Sequence, residues 1–135
     1  MGQTIRVRAQ QIDGLRSLVT VENHAVVVDP PLEEGGTGTG MSAPQLFAAA
    51  MAACIVGFIA NSCHLRNIPL THLEVELTAP LQSGPRRVGD MEAVVRMKPE
   101  PPEEVRQHLL RVAQRATLLN TLARPPRITL RFEPE

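Results

Sequence analysis

The sequence has no tryptophan, no tyrosine and only three phenylalanines. A protein that holds unpaired bases by stacking needs aromatic faces, so single-stranded nucleic acid is a poor candidate for its ligand. A surplus of charge is missing too, since 14 Lys plus Arg are matched by 14 Asp plus Glu. Without a basic excess there is little long-range attraction to nucleic acid or to an anionic membrane, and a small or neutral ligand is expected instead. The opening residues MGQTIRVRAQ lack the apolar stretch of roughly 7–15 residues at the centre of a signal peptide, so a cytoplasmic location is expected. Two cysteines are too few for a disulfide framework and read as free thiols. The histidines, His24, His64, His72 and His108, form neither an H-x-x-x-H nor a Cys-paired ligand spacing. Cys63 and His64 are neighbours, but adjacent helical residues point about 100° apart, and neither a metal nor another cofactor is expected. At 135 residues the chain is long enough for one core, which predicts a single domain over residues 1–135.

What is present is strongly patterned. IRVRAQ and LVTVENHAVVVD, on either side of the turn-prone Asp13-Gly14, are rich in β-branched residues and read as strands. The second must stop at Asp29-Pro30-Pro31, because consecutive prolines cannot donate to a sheet ladder. Glu33 to Gly40 (EEGGTGTG) follows as a polar, flexible connection; it lacks the Lys-Ser/Thr ending of a phosphate-binding loop. Ser42-Ala43-Pro44-Gln45 fits a capping box with proline in the first turn and predicts a helix start. Leu46 to Ala60 is then apolar without interruption, shorter than the roughly 18–20 residues of a bilayer span, which predicts a buried core helix. Ile68-Pro69-Leu70 breaks it. LEVELTAP and DMEAVVRMKP alternate as a hairpin should, PEPPEE opens a second helix with Val105, Leu109, Val112, Ala113 and Ala116 at helical spacing, and ITLRF reads as a last strand after Pro125-Pro126. That order makes the fold class α+β.

Chemistry rests on the cysteines. Their spacing on a continuous helix puts Cys54 and Cys63 roughly 180° apart around the axis and about 13 Å apart along it, beyond disulfide reach. A cysteine inside an apolar run is ordinarily a small buried hydrophobe. For Cys54 to act as a nucleophile it must ionise, which burial opposes. The dipole of its own helix fades long before Cys54, so an arginine from elsewhere in the fold, or from a partner chain, is required.

HAVVVDPPLEEGGTGTGMSAPQLFAAAMAACIVGFI resembles the signature region of the OsmC/Ohr family, through Asp29, Gly35, Gly36, Pro44, Leu46 and Cys54. NIPLTHLEVELTA and the later Asn120-Thr121-Leu122 with Pro125-Pro126 extend the likeness from Ile5 to Phe132. The resemblance implies an α+β intertwined homodimer, with antiparallel sheets packed around long central helices. It also implies thiol-dependent reduction of organic hydroperoxides. In that chemistry Cys54 attacks the peroxide, an arginine (Arg16, with Arg6 and Arg8 as alternatives) lowers its pKa, and an acid at the helix start orients the arginine; that position falls here on Pro44 or Gln45, neither of them charged. A second cysteine resolves the sulfenic acid; its position falls on Ala116, so an external thiol or Cys63 of the partner chain is expected in that role. The catalytic residues the resemblance points to are Cys54, Arg16 and Gln45, a set incomplete beside the family's. A redox-inactive homodimer that binds a small apolar ligand is the rival expectation.

Overall fold

The computed structural model describes residues 2–134. In chain order its elements are β1 (Arg8–Asp13), β2 (Arg16–Val21), β3 (His24–Val28), a 3-10 turn (Leu32–Glu34), α1 (Ala43–Leu65), β4 (His72–Thr78), β5 (Leu81–Gln82), β6 (Arg87–Val88), β7 (Glu92–Lys98), α2 (Glu103–Ala113) and α3 (Thr117–Ala123). They form two compact units, one running to Ala50 and including Ala79–Met91, the other comprising Met51–Thr78 and the chain from Glu92 onward. The fold class is α+β, as expected.

The first unit holds an antiparallel meander, β1-β2-β3, and the short β5-β6 ladder. The segment read as one long strand from Leu18 to Asp29 is divided, because Glu22 takes a left-handed conformation (φ 54°) and turns the chain between β2 and β3. Gly14 (φ 48°) makes the preceding turn. β3 ends at Val28, before the prolines, as their chemistry demands.

The EEGGTGTG segment is ordered, contrary to the expectation of a flexible connection. Asp29 is 1% exposed and its carboxylate is the organising centre. It accepts the backbone N–H groups of Thr37 (3.0 and 3.2 Å) and Thr39 (2.9 Å), the hydroxyl of Thr39 (2.7 Å) and the hydroxyl of Thr37. These donors, with Thr37 Oγ1 the largest influence, hold the Asp29 pKa well below the usual carboxylate range. Gly36 passes so close that a Cβ there would collide with the Pro30 carbonyl and the Asp29 carboxylate.

The second unit packs the β4/β7 hairpin, with Val75 opposite Val95, over α1 and α2. Its core is Ile55, Ile59, Cys63, Leu109 and Ala113, with Leu73, Val75, Val95 and Met97 covering them from the strands. α1 ends where Asn67 turns left-handed (φ 54°) and the Ile68 N–H donates to the Cys63 carbonyl at 2.9 Å.

Of the apolar surface of α1, this chain itself buries a stripe, Met51, Ile55, Ile59, Ser62 and Cys63. Two readings of this unit are corrected. First, the helical spacing through Ala116 extends past α2, since Ala116 leaves the helical region (ψ 145°) and caps α3. Second, among the described residues ITLRF pairs with no strand; Ile128, Leu130 and Phe132 are 80%, 89% and 105% exposed. α1 at 23 residues also has the length and apolarity of a bilayer span, which the apolar run alone lacks, but its buried stripe is the core of the second unit.

Candidate functional site

Position along α1 decides the environment of each thiol. Cys63 shares the stripe of Ile55 and Ile59, is 2% exposed, and its pKa is pushed up by burial. Cys54 is on the other side of the rod and is half-buried. It lines an open hollow of about 380 Å³ with Ala53, Gly57, Phe58 and Asn61. Alanine and glycine keep the helix surface low around the sulfur, Phe58 supplies an apolar wall, and Asn61 is the one amide. All five residues lie on α1, so the hollow is an open face of one helix on which the thiol is accessible. The expected separation of the two cysteines holds: both are free.

The other members of the expected set are engaged elsewhere. Arg16 forms a two-pronged ion pair with Asp13, Nη2 to Oδ2 at 2.7 Å and Nε to Oδ1 at 3.2 Å. That hydrogen bonding and charge raise its pKa. Arg16 belongs to the first unit and Cys54 to the second. Gln45 is the reciprocal half of a capping box: its Oε1 accepts the Ser42 N–H at 2.9 Å, while its own N–H donates to Ser42 Oγ at 3.3 Å. Ala116 is 0% exposed, so the position expected for a second cysteine is closed to solvent.

Two polar features escaped the sequence reading. One is the Asp29 knot, signalled only by the threonines of GTGT. The other joins the two main helices of the second unit, where Ser62 Oγ lies 3.3 Å from His108 Nε2. Burial lowers the His108 pKa, and the charges of Arg66, Arg111 and Arg115 lower it further. Among the described residues no cluster of three or more His, Cys, Asp or Glu side chains is placed to hold a metal ion.

Fold and site together define a class: an α+β protein whose long central helix presents one accessible thiol beside an apolar hollow. The family model for OsmC-like proteins matches residues 36–131, and the chain belongs to that family. Solved structures show the same fold. An OsmC-like protein from Mycoplasma pneumoniae superposes with a TM-score of 0.77 at 16% identity, covering 91% of this chain and 89% of that one. An organic hydroperoxide resistance protein OsmC from Legionella pneumophila gives 0.73 at 19%, covering 89% of each chain. The organic hydroperoxide resistance protein OhrB of Bacillus subtilis gives 0.63 at 24%, covering 88% and 90%. No curated protein matches the chain in sequence.

Proposed function

We propose that this protein reduces organic hydroperoxides through Cys54, working as a homodimer. The observation that carries the reading is the placement of Cys54 on the open side of α1, half-buried beside an apolar hollow, while Cys63 is sealed on the opposite side. Structural neighbours named for organic hydroperoxide resistance support that substrate class. In the first step the Cys54 thiolate attacks one peroxide oxygen, the O–O bond breaks, and the other oxygen leaves with a proton as the alcohol. Sulfur is thereby oxidised to sulfenic acid. A small external thiol then condenses with the sulfenic acid, releasing water and leaving a mixed disulfide. A second equivalent of that thiol restores Cys54 and carries the disulfide away. The burial of Cys63 in its own core favours an external resolving thiol over the partner's cysteine.

The thiolate needs a cation, which we assign to an arginine brought to the hollow in the homodimer: Arg16 released from Asp13, or Arg6 or Arg8. Mass spectrometry after one equivalent of cumene hydroperoxide should find a sulfenate on Cys54, trapped by dimedone, or a mixed disulfide when thiol is present. Cys54 remaining reduced in the native protein would sink the proposal.

The closed position at Ala116 and the capping role of Gln45 favour one rival, a redox-inactive dimer that binds an apolar ligand in the same hollow. Ligand binding that survives Cys54→Ser, with no peroxide consumption by the unaltered protein, would select it.

A further inference from the structure

Charge is unevenly placed along this neutral chain. No Asp or Glu occurs between Glu34 and Glu74, nor between Glu104 and Glu133, yet the second interval carries Arg106, Arg111, Arg115, Arg124, Arg127 and Arg131. The fold gathers part of this surplus at one place in the second unit. Ser62 on α1 is buried, and its Oγ lies 3.3 Å from Nε2 of the half-buried His108 on α2. Arg66 follows Ser62 by one turn, its N–H donating to the Ser62 carbonyl at 3.0 Å. Residues so spaced share a side of the helix. Arg111 and Arg115 follow His108 by three and seven positions, the spacing that returns to the same side of α2. The charges of all three arginines reach the imidazole.

These three arginines are exposed, and among the described residues none is in an ion pair, whereas Arg16, Arg86, Arg96, Arg106 and Arg131 each face a carboxylate. Helix C-termini attract cations, which accounts for an arginine such as Arg111 in the last turn of α2. That attraction is worth about 0.3–1 kcal/mol and does not call for three like charges around one imidazole. Cations held together without a counter-ion repel one another, and an anion that joins them removes the repulsion.

We infer that Arg66, Arg111, Arg115 and His108 bind the phosphoryl group of a small phosphate or phosphate monoester. A phosphoryl group carries a charge of about −1.5 to −2 and three strong acceptor oxygens, which suits several guanidinium donors at once. A carboxylate brings one charge and two oxygens, and would leave part of the cluster unmatched. Planar guanidinium forks meet phosphate oxygens two at a time. With Ser62 Oγ donating to Nε2, the neutral imidazole keeps its proton on Nδ1, a further donor for the same anion. A polyanion is disfavoured by the zero net charge of the chain and its scarcity of aromatic residues. The site uses neither Cys54 nor the hollow beside it, so it stands or falls apart from the thiol chemistry.

The test follows the His108 imidazole resonances of the full chain at neutral pH while inorganic phosphate, glycerol 3-phosphate, acetate or chloride is added at constant ionic strength. Phosphate should displace them saturably and chloride should not, and the His108 pKa should rise with phosphate bound, because a nearby anion favours the imidazolium. The paired change Arg111→Gln and Arg115→Gln should weaken phosphate binding roughly tenfold or more, the cost of losing hydrogen bonds to a charged group. Arg66→Gln, beyond the end of α1, gives the same readout should the paired change unfold the protein. Tighter binding of glycerol 3-phosphate than of inorganic phosphate assigns the monoester as the ligand, and the reverse order assigns the free ion. A chloride response equal to that of phosphate would reduce the effect to screening and overturn the site. Acetate bound as tightly as phosphate, or phosphate affinity unchanged in both variants, would overturn it as well.

Discussion

Asp29 and His108 show how single residues take their properties from what surrounds them. The folded state holds the Asp29 pKa well below the value near 3.9 of an unfolded chain, so the carboxylate's contribution to stability is complete above that value. It is lost as pH falls toward the folded-state pKa. The melting temperature should therefore drop as pH is lowered below about 4, and Asp29→Asn should melt lower at neutral pH while losing part of that acid sensitivity. Melting curves at pH 7, 4 and 3 check both. His108 is depressed for a different reason, burial first and then the positive charges of Arg66, Arg111 and Arg115. Replacing Arg111 and Arg115 by Gln should raise its pKa, read from the imidazole resonances across pH 5 to 8; no shift would mean that those charges do not reach the ring. The hydrogen bonds of neither residue were legible in the sequence, because Thr37 lies 8 positions from Asp29 and Ser62 lies 46 from His108. Cys54 and Cys63 were legible, since their relation depends only on helical pitch. The ion pair of Arg16 with Asp13, a local pairing across a turn, was not read from the sequence.

At the scale of elements, local chemistry determined boundaries more reliably than it determined partners. The helix start at Ser42, the end of β3 before Pro30 and the pairing of β4 with β7 all follow from residues adjacent to the feature. The break before α3 was hidden because Ala116 continues the apolar spacing of α2 and only its backbone leaves the helix. Ser42→Ala should remove one half of the capping box, costing about 1 kcal/mol and lowering the melting temperature by roughly 3–5 °C. Gln45→Ala removes the other half and should destabilise by a similar or smaller amount. If capping is its whole role, the alkylation rate of Cys54 in that variant stays unchanged at every pH; a slower rate would support a place for Gln45 in the catalytic set. Gly36→Ala forces a Cβ against backbone and the Asp29 carboxylate, which cannot yield without breaking the threonine contacts. A loss of about 1–3 kcal/mol is expected, as for other forced overpacking, measured by urea unfolding.

For the whole molecule, the mismatch between pattern and burial is the main physical fact. α1 is apolar on every side, but this chain covers one stripe of it, and the apolar side chains of the C-terminal strand pattern, Ile128, Leu130 and Phe132, are exposed. Sequence alone reports how much apolar surface needs burial and not which chain buries it. If two copies complete each other, folding and association are one equilibrium, and stability must depend on chain concentration. A tenfold dilution changes the free energy of such a dimer by about 1.4 kcal/mol, which for two chains of this length moves the melting temperature by roughly 2 °C. Calorimetry at chain concentrations spanning two decades should therefore show a steady fall of roughly 4 °C with dilution. A melting temperature that stays constant over that range would mean that one chain is stable with its apolar surface exposed, and the proposed completion of the thiol site by a partner would have no basis.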